Sequence, residues 1–304
     1  MSPKPPGRQP FAKRVARRAS WVVRDRFPDR VVRREVQGVQ IVLPWAHRLP
    51  DYAESSPEYG QNLPRLAAAL AAADGRPVNV VDVGANIGDS ALQILAATDG
   101  RVLCVEGDRF YLDFLHLNVD KDSRISVEES LLQNDTDGLS VSMAPVRVGG
   151  TTRFEPGESS LTAPAVSMTE LRRRHPDFDE LRLIKSDTDG YDVELIPGLA
   201  RTWADSTPVL FFEYDPVLSR LSGNDPLLVW EELSTLGYRH VGVWDNGGVP
   251  LGCFLIDEVP VLAAVLDEPA GRRAHVYWDV AVIHEGDENG LAALYAVLPG
   301  SRRA

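Results

Sequence analysis

The stretch from Pro77 to Ser90, which reads P-V-N-V-V-D-V-G-A-N-I-G-D-S, constrains the fold of this chain more than any other. Residues 78–83 are almost all apolar, as in a strand buried on both faces of a parallel sheet. A turn bounded by Gly84 and Gly88 follows, and then a helical pattern from Asp89 to Ala97. Strand, tight glycine turn and helix together predict the first unit of a nucleotide-binding α/β domain, in which the glycines let the backbone approach a ligand.

The spacing of this turn favours one class of ligand. A dinucleotide-binding turn reads G-x-G-x-x-G and places a helix N-terminus against a pyrophosphate. Here Gly84, Ala85, Asn86 and Gly88 form a G-x-N-x-G turn, and Asp82 stands two residues before it. A carboxylate there repels a pyrophosphate but attracts an ammonium and a sulfonium, as in S-adenosylmethionine, whose carboxylate the loop amides would receive. The structural alternative is a glycine loop that only turns the chain.

Composition limits the functional classes. The 304 residues are 44% hydrophobic, enough for a large core, and a formal net charge of −12 argues against non-specific nucleic-acid binding. Cys104 and Cys253 lie in apolar runs and predict buried free thiols in a reducing compartment. No apolar stretch is long enough to span a membrane, so we expect a cytoplasmic protein. Only four of the 32 basic residues are lysine, which is typical of a bacterial gene of high GC content.

The first 50 residues have a different character from the rest. They hold 12 Lys and Arg against 3 Asp and Glu, so the remaining residues carry a charge of −21. Residues 1–10 contain four prolines and predict disorder. The segment Phe11–Phe27 predicts a basic amphipathic helix, which either makes a weak contact with a membrane surface or packs on its own domain. Its apolar stripe consists of Phe11, Val15, Ala19 and Val22.

We therefore divide the chain into a basic extension, residues 1–50, and a main domain, residues 51–304. In the extension, Arg30–Pro44 alternates like a hairpin that turns near Gln37. The main domain alternates strands and helices, as in a doubly wound parallel sheet. Beyond residues 78–83, the predicted strands are Arg101–Glu106, Arg124–Glu128, Leu181–Asp187, Pro208–Tyr214, Tyr238–Trp244, Val249–Ile256 and His275–His284. The predicted helices are Pro57–Ala73, Asp89–Ala97, Asp108–Asn118, Met168–His175, Tyr191–Leu199, Leu227–Leu236, 259–267 and 288–297.

Carboxylates end four of the predicted parallel strands. Since the ligand of an open α/β sheet lies across these strand ends, the acids are expected to surround it. Glu106 stands about 20 residues beyond the glycine loop, where a carboxylate accepts ribose hydroxyls; the alternative is an exposed strand end. Ser130, just after the third strand, is placed to line an adenine ring, although a purely structural role is an equal alternative. The four acids are Asp82, Glu106, Asp187 and Glu213.

The segment Lys185–Asp192, K-S-D-T-D-G-Y-D, is the second concentration of chemistry. In one interpretation Asp187 or Asp189 is the base that accepts a proton from a substrate hydroxyl. In another, the pair binds Mg²⁺, which prefers oxygen ligands. The structural alternative is that Asp189 caps the helix and Asp187 holds loop amides. Lys185 is expected to pair with Asp187 or Glu213 and to tune their ionisation.

An irregular segment, residues 133–165, interrupts the pattern with at most one short hairpin and is more typical of a functional loop than of a core. Hydrolase and zinc-enzyme classes are excluded because G-x-S-x-G, H-E-x-x-H and C-x-x-C are all missing from the sequence. No histidine has a partner at metal-ligand spacing, so no metal site is assigned.

With these motifs in place, residues 57–256 resemble the FkbM-type family of S-adenosylmethionine-dependent methyltransferases. The resemblance implies a seven-stranded, mostly parallel Rossmann-like domain and O-methylation of a hydroxyl on a sugar, glycan or secondary metabolite. It also implies cofactor roles for Asp82, Gly84, Asn86, Gly88 and Glu106. The motifs that carry it are V-V-D-V-G-A-N-I-G-D-S at 80–90, V-E-G-D at 105–108, L-H-L-N at 115–118, S-S-L at 159–161, L-I-K-S-D-T-D-G-Y-D-V-E-L-I-P-G at 183–198 and F-F-E-Y at 211–214.

Within that resemblance, Ser159, Ser160 and Glu213 are candidates for contact with the substrate. The chain departs from the family where Gly107 replaces the usual proline after the ribose-binding glutamate. It also has aspartates at 189 and 192 where the family usually has glutamates. Each aspartate is one methylene shorter, so an acceptor that either one touched would sit differently.

Two other functional classes remain open from the sequence. Asp187-Thr188-Asp189 has the D-x-D spacing of a metal-dependent nucleotide-sugar glycosyltransferase, although that leaves the acid before the glycine loop unexplained. Alternatively, the chain is a non-catalytic accessory protein that keeps the cofactor pocket or docks on a membrane through its arginine-rich start. Neither the acceptor nor the oligomeric state follows from the sequence.

Overall fold

The computed structural model describes residues 11–135, 143–148, 150–156, 164–266 and 276–298. In these residues the helices are α1 Phe11–Arg24, α2 Leu49–Ser55, α3 Asn62–Asp74, α4 Asp89–Ala97, α5 Arg109–Val119, α6 Met168–Arg174, α7 Asp192–Thr202, α8 Pro216–Leu221, α9 Leu228–Thr235, α10 Val259–Ala263 and α11 Glu288–Val297. The strands are β1 Val31–Val36, β2 Val39–Pro44, β3 Val78–Val83, β4 Gly100–Val105, β5 Ile125–Glu128, β6 Leu131–Gln133, β7 Met143–Val148, β8 Thr151–Pro156, β9 Ala165–Ser167, β10 Leu183–Ser186, β11 Val209–Tyr214, β12 Tyr238–Asp245, β13 Pro250–Leu255 and β14 Trp278–His284.

One eight-stranded sheet forms the centre of the molecule, in the order β13-β12-β14-β11-β10-β3-β4-β5. Its strands β11, β10, β3, β4 and β5 are parallel, and β14, β12 and β13 continue the sheet in antiparallel pairing. Numbered as they occur along the chain, the parallel strands lie in the order 3-2-1-4-5, the order of a doubly wound Rossmann-like sheet. The predicted α/β fold is therefore confirmed, with eight strands in place of the expected seven.

Helices cover both faces of this sheet, because successive side chains of each buried strand point to opposite faces. Val78, Val80 and Val102 face a cluster that includes α3, α4, α5 and α11. Val81 and Leu103 face the opposite cluster, which includes α6, α7, α9 and α10. Nearly every strand position is therefore buried, which explains the absence of apolar–polar alternation in residues 78–83.

The hairpin of the N-terminal extension packs directly on the main domain. β1 and β2 pair around Gln37 and Gly38, both with positive φ, as the sequence predicts. Their side chains form a third core with the α4–α5 region, to which Ile41, Leu43 and Phe114 belong. The hairpin is thus part of the main domain's hydrophobic structure, and the domain division at residue 50 stays a prediction.

The differences from the predicted elements are shifted element ends and short elements that the sequence did not predict. The helix expected at 57–73 begins at Asn62, and the short helices α2 and α8 were not predicted. Residues 133–165 do include a hairpin, β7–β8, and β6 and β9 pair beside it. Residues 1–10, expected to be disordered, lie outside the described residues. None of the described helices combines the length and apolar character needed to cross a membrane.

Asn118 joins the hairpin to the glycine turn. Its side-chain oxygen accepts the Val42 N–H at 2.7 Å, and its amide nitrogen donates to the carbonyls of Val42 and Ile87, each at 2.8 Å. We expect Asn118→Ala to lower the free energy of unfolding by about 2 kcal/mol, because it leaves these backbone groups without partners. Urea denaturation measures the change. Leu117→Ala, on the exposed side of the same helix, is the control and should change stability little; equal losses would contradict the proposed bridge.

Candidate functional site

A cavity of about 360 Å³ lies at the carboxyl ends of the central parallel strands. Val83 and Val105, the last residues of β3 and β4, line one side, and Asp187, just after β10, lines another. β3 is where the strand order reverses, since β4 follows on one side and β10 on the other. Ligands of open α/β sheets bind at such switch points, and the cavity volume is that of a small-molecule site.

Gly84 and Asn86 of the glycine turn both line the cavity. A Cβ on Gly84 would lie 2.0 Å from the Asp187 carbonyl oxygen, so only glycine permits the turn to pass this close to β10. The amides of Gly84 and Ala85 donate to the Val105 carbonyl at 3.0 and 3.2 Å. These amides are already bonded within the protein, which corrects the expectation that they receive the carboxylate of a ligand.

Glu106 lines the cavity and is 7% exposed. One carboxylate oxygen accepts the Asn86 N–H at 2.8 Å, and the other accepts the Asp108 N–H at 2.6 Å. Burial raises the pKa of Glu106 to about 7, although these two backbone donors oppose the shift. Each carboxylate oxygen keeps a second lone pair, so the group is positioned by the protein and can still accept ligand hydroxyls.

Asn86 is held from two distant parts of the chain. His47 Nδ1 accepts the Leu49 N–H at 3.2 Å, so the ring proton is on Nε2, which donates to the Asn86 side-chain oxygen at 3.3 Å. The Asn86 amide nitrogen then donates to the Gly150 carbonyl at 3.0 Å, in the turn between β7 and β8. Burial lowers the pKa of His47 to about 4, so the ring is neutral near pH 7 and the arrangement is maintained.

The β7–β8 hairpin reaches the cavity through a second attachment. Arg147 forms a two-pronged ion pair with Asp108, and the Thr152 hydroxyl donates to the same carboxylate at 2.5 Å. These bonds lower the pKa of Asp108 even though burial raises it. Thr152 thereby becomes part of the cavity lining. The described part of the 133–165 insertion therefore contributes to the cavity, and its functional role stays a prediction.

Asp82 does not line the cavity. It is fully buried behind the glycine turn, and its carboxylate lies 2.9 Å from Lys185 Nζ. The two residues are partners in the β3–β10 register, so their side chains leave the sheet on the same face. Burial opposes the charge of Lys185, but the carboxylates of Asp82 and Asp187 outweigh it and raise its pKa. The sequence predicted Asp187 or Glu213 as the partner of Lys185; the principal partner is Asp82.

Asp187 and Asp189 both line the cavity. The Asp187 side chain is 51% exposed, and its carboxylate is 3.9 Å from Lys185 Nζ. The N-cap position of α7 is Tyr191, whose side chain makes no capping bond, so the predicted cap by Asp189 stays a prediction. Asp192 accepts bonds from the Ser186 and Thr188 hydroxyls at 2.6 and 2.9 Å. Asp192 therefore shapes its own loop, and only the shortened side chain at 189 can affect an acceptor.

A second group of acids lies along the same sheet edge. Glu213 and Asp279 are direct partners in the antiparallel β11–β14 register, and like charges in this position repel. Burial, with Asp187 the next largest cause, raises the pKa of Glu213 well above its usual value. Burial also raises the pKa of Asp279 to about 7, although Asn62 donates to it at 2.7 Å. Neither residue belongs to the lining of the main cavity. Asp279 was not predicted from the sequence.

The remaining predicted residues divide clearly. Ser130 lines the cavity and donates to Glu128 at 2.7 Å. Gly88 and Ala85 do not line it: a Cβ on Gly88 would lie 2.7 Å from a Leu115 methyl, so this glycine permits helix packing. Ser159 and Ser160 lie outside the described residues.

Side chains that the sequence analysis did not single out also line the cavity, among them Tyr111, Gln133, Thr152 and Tyr191. Tyr111 belongs to α5, Gln133 and Thr152 belong to the short strands β6 and β8, and only the fold brings these elements to the cavity. Among the described residues, no group of three or more His, Cys, Asp or Glu side chains is arranged to hold a metal ion. The expected Mg²⁺ site therefore has no support.

No family model matches this chain, and no curated protein does. Among solved structures, it is similar to an O-methyltransferase from Bacillus cereus in complex with SAH, at 12% identity over 72% of this chain and 80% of that one, with a TM-score of 0.39. Methyltransferase FkbM from Methylobacillus flagellatus KT is 21% identical over 54% of this chain and 39% of that one, with a TM-score of 0.33.

A precorrin-6y C5,15-methyltransferase from Geobacter metallireducens GS-15 is 10% identical over 68% of this chain and 81% of that one, with a TM-score of 0.36. Scores of this size carry no argument about function. The class of fold, a Rossmann-like α/β domain with a large, mostly parallel sheet, follows from the strand order described above.

The buried ion pair gives a direct test of the site's framework. We expect Lys185→Met to lower the free energy of unfolding by about 3 kcal/mol or more, because it leaves the buried Asp82 carboxylate without a cation. The double variant Asp82→Asn/Lys185→Met should recover part of this loss. Urea denaturation near neutral pH measures both. A single variant as stable as the native protein would show that the pair does not hold the two strands together.

Proposed function

We propose that this protein is an S-adenosylmethionine-dependent O-methyltransferase of the FkbM type, acting on a hydroxyl of a sugar, glycan or secondary metabolite. The observation that carries the proposal is the cavity at the sheet's switch point, where Gly84, Glu106 and Asp187 meet. In addition, Cys104 and Cys253 are free thiols, which agrees with the cytoplasmic location proposed from the sequence.

The residues present fit this cofactor. Gly84 lets the turn pass against the Asp187 carbonyl beside the cavity, and the oriented Glu106 carboxylate can accept the two ribose hydroxyls. Ser130 lies on the β5 side of the cavity, where the adenine ring would be held. Asp82 would act indirectly, because it is buried and fixes Lys185 and with it the glycine turn. When bound, the cofactor supplies an electrophilic methyl group on a sulfonium.

The chain's own contribution to methyl transfer is mainly positioning, with help in removing the hydroxyl proton. Asp187 is the best-placed base, since its half-exposed carboxylate faces the cavity at the end of β10. Lys185 donates to the Gly84 carbonyl at 3.0 Å, so one residue holds the glycine turn and lies beside Asp187. Glu213 and Asp279 extend the acidic edge outside the cavity lining, and we propose that they contact the part of the acceptor that reaches beyond the cavity.

The glycosyltransferase alternative has less support. It would require Asp187 and Asp189 to bind a metal on a diphosphate. The described residues contain no metal-binding cluster, and Asp187 adjoins other carboxylates that would repel a diphosphate.

We expect Asp187→Asn to reduce methyl transfer by about a hundredfold or more, because the amide cannot accept the proton of the hydroxyl. Turnover of S-adenosylmethionine to S-adenosylhomocysteine with a panel of sugar and glycoside acceptors measures the loss, and the affinity for S-adenosylhomocysteine should be unchanged. Asp113→Asn, the same change at an exposed residue of α5 outside the cavity lining, is the control and should leave turnover unchanged. Full activity of Asp187→Asn would remove this residue as the base.

Calorimetric titration with S-adenosylhomocysteine tests the cofactor itself. We expect the affinity to rise as the pH increases through about 7, because Glu106 then loses its proton and accepts the ribose hydroxyls more strongly. Glu106→Gln should bind more weakly and lose this pH dependence. If the native protein does not bind, but binds a uridine diphosphate sugar with Mn²⁺, the glycosyltransferase alternative replaces the proposal.

A further inference from the structure

In its described part, helix α1 contacts the protein through Trp21 and the arginines beside it. Arg17 lies over the Trp21 ring at 5.4 Å, and Arg48 lies over the same ring at 4.6 Å. Arg24 forms an ion pair with Asp51 of α2. In a helix that packs on its own domain, the apolar stripe would normally supply this contact. For the side chains that the structure describes, from residue 17 onward, the Trp21 ring with its two arginines and the Arg24–Asp51 ion pair supply it.

Several described apolar residues of this segment and of the strand that follows it are exposed. Val22 is 65% exposed, and Val23, Phe27 and Val31 are each more than half exposed. Val22 belongs to the stripe that the sequence predicts for this helix, and Ala19 of the same stripe is also exposed. We name Val22, Val23, Phe27 and Val31 the N-terminal apolar patch. A group of exposed apolar residues that are close in the chain is a common feature of interaction surfaces.

Arginines accompany the patch. Arg18 and Arg26 are exposed and form no ion pair with any described residue, and Arg33 and Arg34 of β1 are exposed as well. The first 50 residues carry +9, whereas the rest of the chain carries −21. An anionic surface would therefore attract this end of the molecule and repel the remainder. The charge distribution by itself orients the patch toward such a surface.

We propose that the N-terminal apolar patch docks the protein on an anionic phospholipid bilayer. Exposed apolar side chains accompanied by arginines are what an interfacial segment needs, since the former insert among the acyl chains and the latter contact the head groups. A second copy of the chain fits less well, because a symmetric contact would bring the same arginines together. Nucleic acid would leave the apolar residues without a partner. This inference does not depend on the proposed methyl transfer.

The docked surface is linked to the cavity by few steps. Arg48, which covers Trp21, also donates to Asp25 at 2.7 and 2.8 Å. The neighbouring His47 bonds Asn86 of the cavity lining. Side-chain contacts thus connect α1 to the glycine turn through Arg48 and the neighbouring His47.

Cosedimentation of the full chain with vesicles tests the proposal. The native protein should bind vesicles with about 30% phosphatidylserine at an ionic strength of about 0.1 M, and much less to pure phosphatidylcholine or at high salt. Val22→Asp/Val23→Asp should weaken binding about tenfold or more, since it replaces inserting groups by charges that are repelled. Val261→Asp/Val265→Asp is the matched control: these two valines, in and just after α10, are also exposed but lie outside the N-terminal apolar patch. This variant should bind as the native protein does.

A second double variant measures the electrostatic contribution to vesicle binding. Arg18→Gln/Arg26→Gln should weaken binding about 30-fold and reduce the dependence on anionic lipid. Arg18, Val22, Val23 and Arg26 are all exposed, so the thermal unfolding temperature of both variants should equal that of the native protein. A lower unfolding temperature would reveal a folding defect. Equal binding of the Val22→Asp/Val23→Asp variant and its control would overturn the proposal. A native protein that does not bind the vesicles would also overturn it. If sedimentation equilibrium then shows a dimer that the Val22→Asp/Val23→Asp variant does not form, the patch is a contact between two copies of the chain.

Discussion

The contact between Lys185 and Asp82 underlies the rest of this structure. Both residues stand on central strands of a sheet covered on its two faces, where an isolated charge would be costly. The parallel register of β3 and β10 brings them together on one face. From this position the ammonium group also reaches the carbonyls of Val83 and Gly84, so a single buried cation stabilises both the strand pairing and the turn that follows.

The cavity depends on this framework but is completed from elsewhere. The last residues of β3 and β4 line one side of it, and Glu106, just after β4, holds Asn86 in its left-handed conformation, with φ of 52°. The N-terminal segment and the β7–β8 hairpin then fix the Asn86 side chain through His47 and Gly150. The glycine motif is therefore only one of several segments that determine the shape of the site.

The sequence was most informative where structure is local. Both α4 and α11 begin and end at the residues predicted, and the Gln37–Gly38 turn is where the alternation placed it. The doubly wound fold followed from the alternation of strands and helices. For the site, the six residues Gly84, Asn86, Glu106, Ser130, Asp187 and Asp189 line one cavity at the sheet edge where the sequence placed them, and their roles in binding and catalysis stay predictions.

The errors concern contacts between residues far apart in the chain. Asp82 was expected to meet a ligand, but the β10 register gives it Lys185. Gly88 was expected in the binding turn, but the packing of α5 needs it. Asp279 lies opposite Glu213 only because β14 is antiparallel to β11. No periodicity or motif carries information about such pairings, since they depend on which strands become neighbours.

The separation between the partners of the ion pair also bears on how this chain folds as it is synthesised. Lys185 lies about a hundred residues beyond Asp82 and Gly84. β3 and the glycine turn therefore leave the ribosome well before their cation, and until then burial of β3 would trap a carboxylate without a partner. We therefore expect the early α3–β3–α4–β4 units to reach their final packing only after Lys185 has been synthesised. Closure of this long loop ties formation of the cavity to a late step of folding.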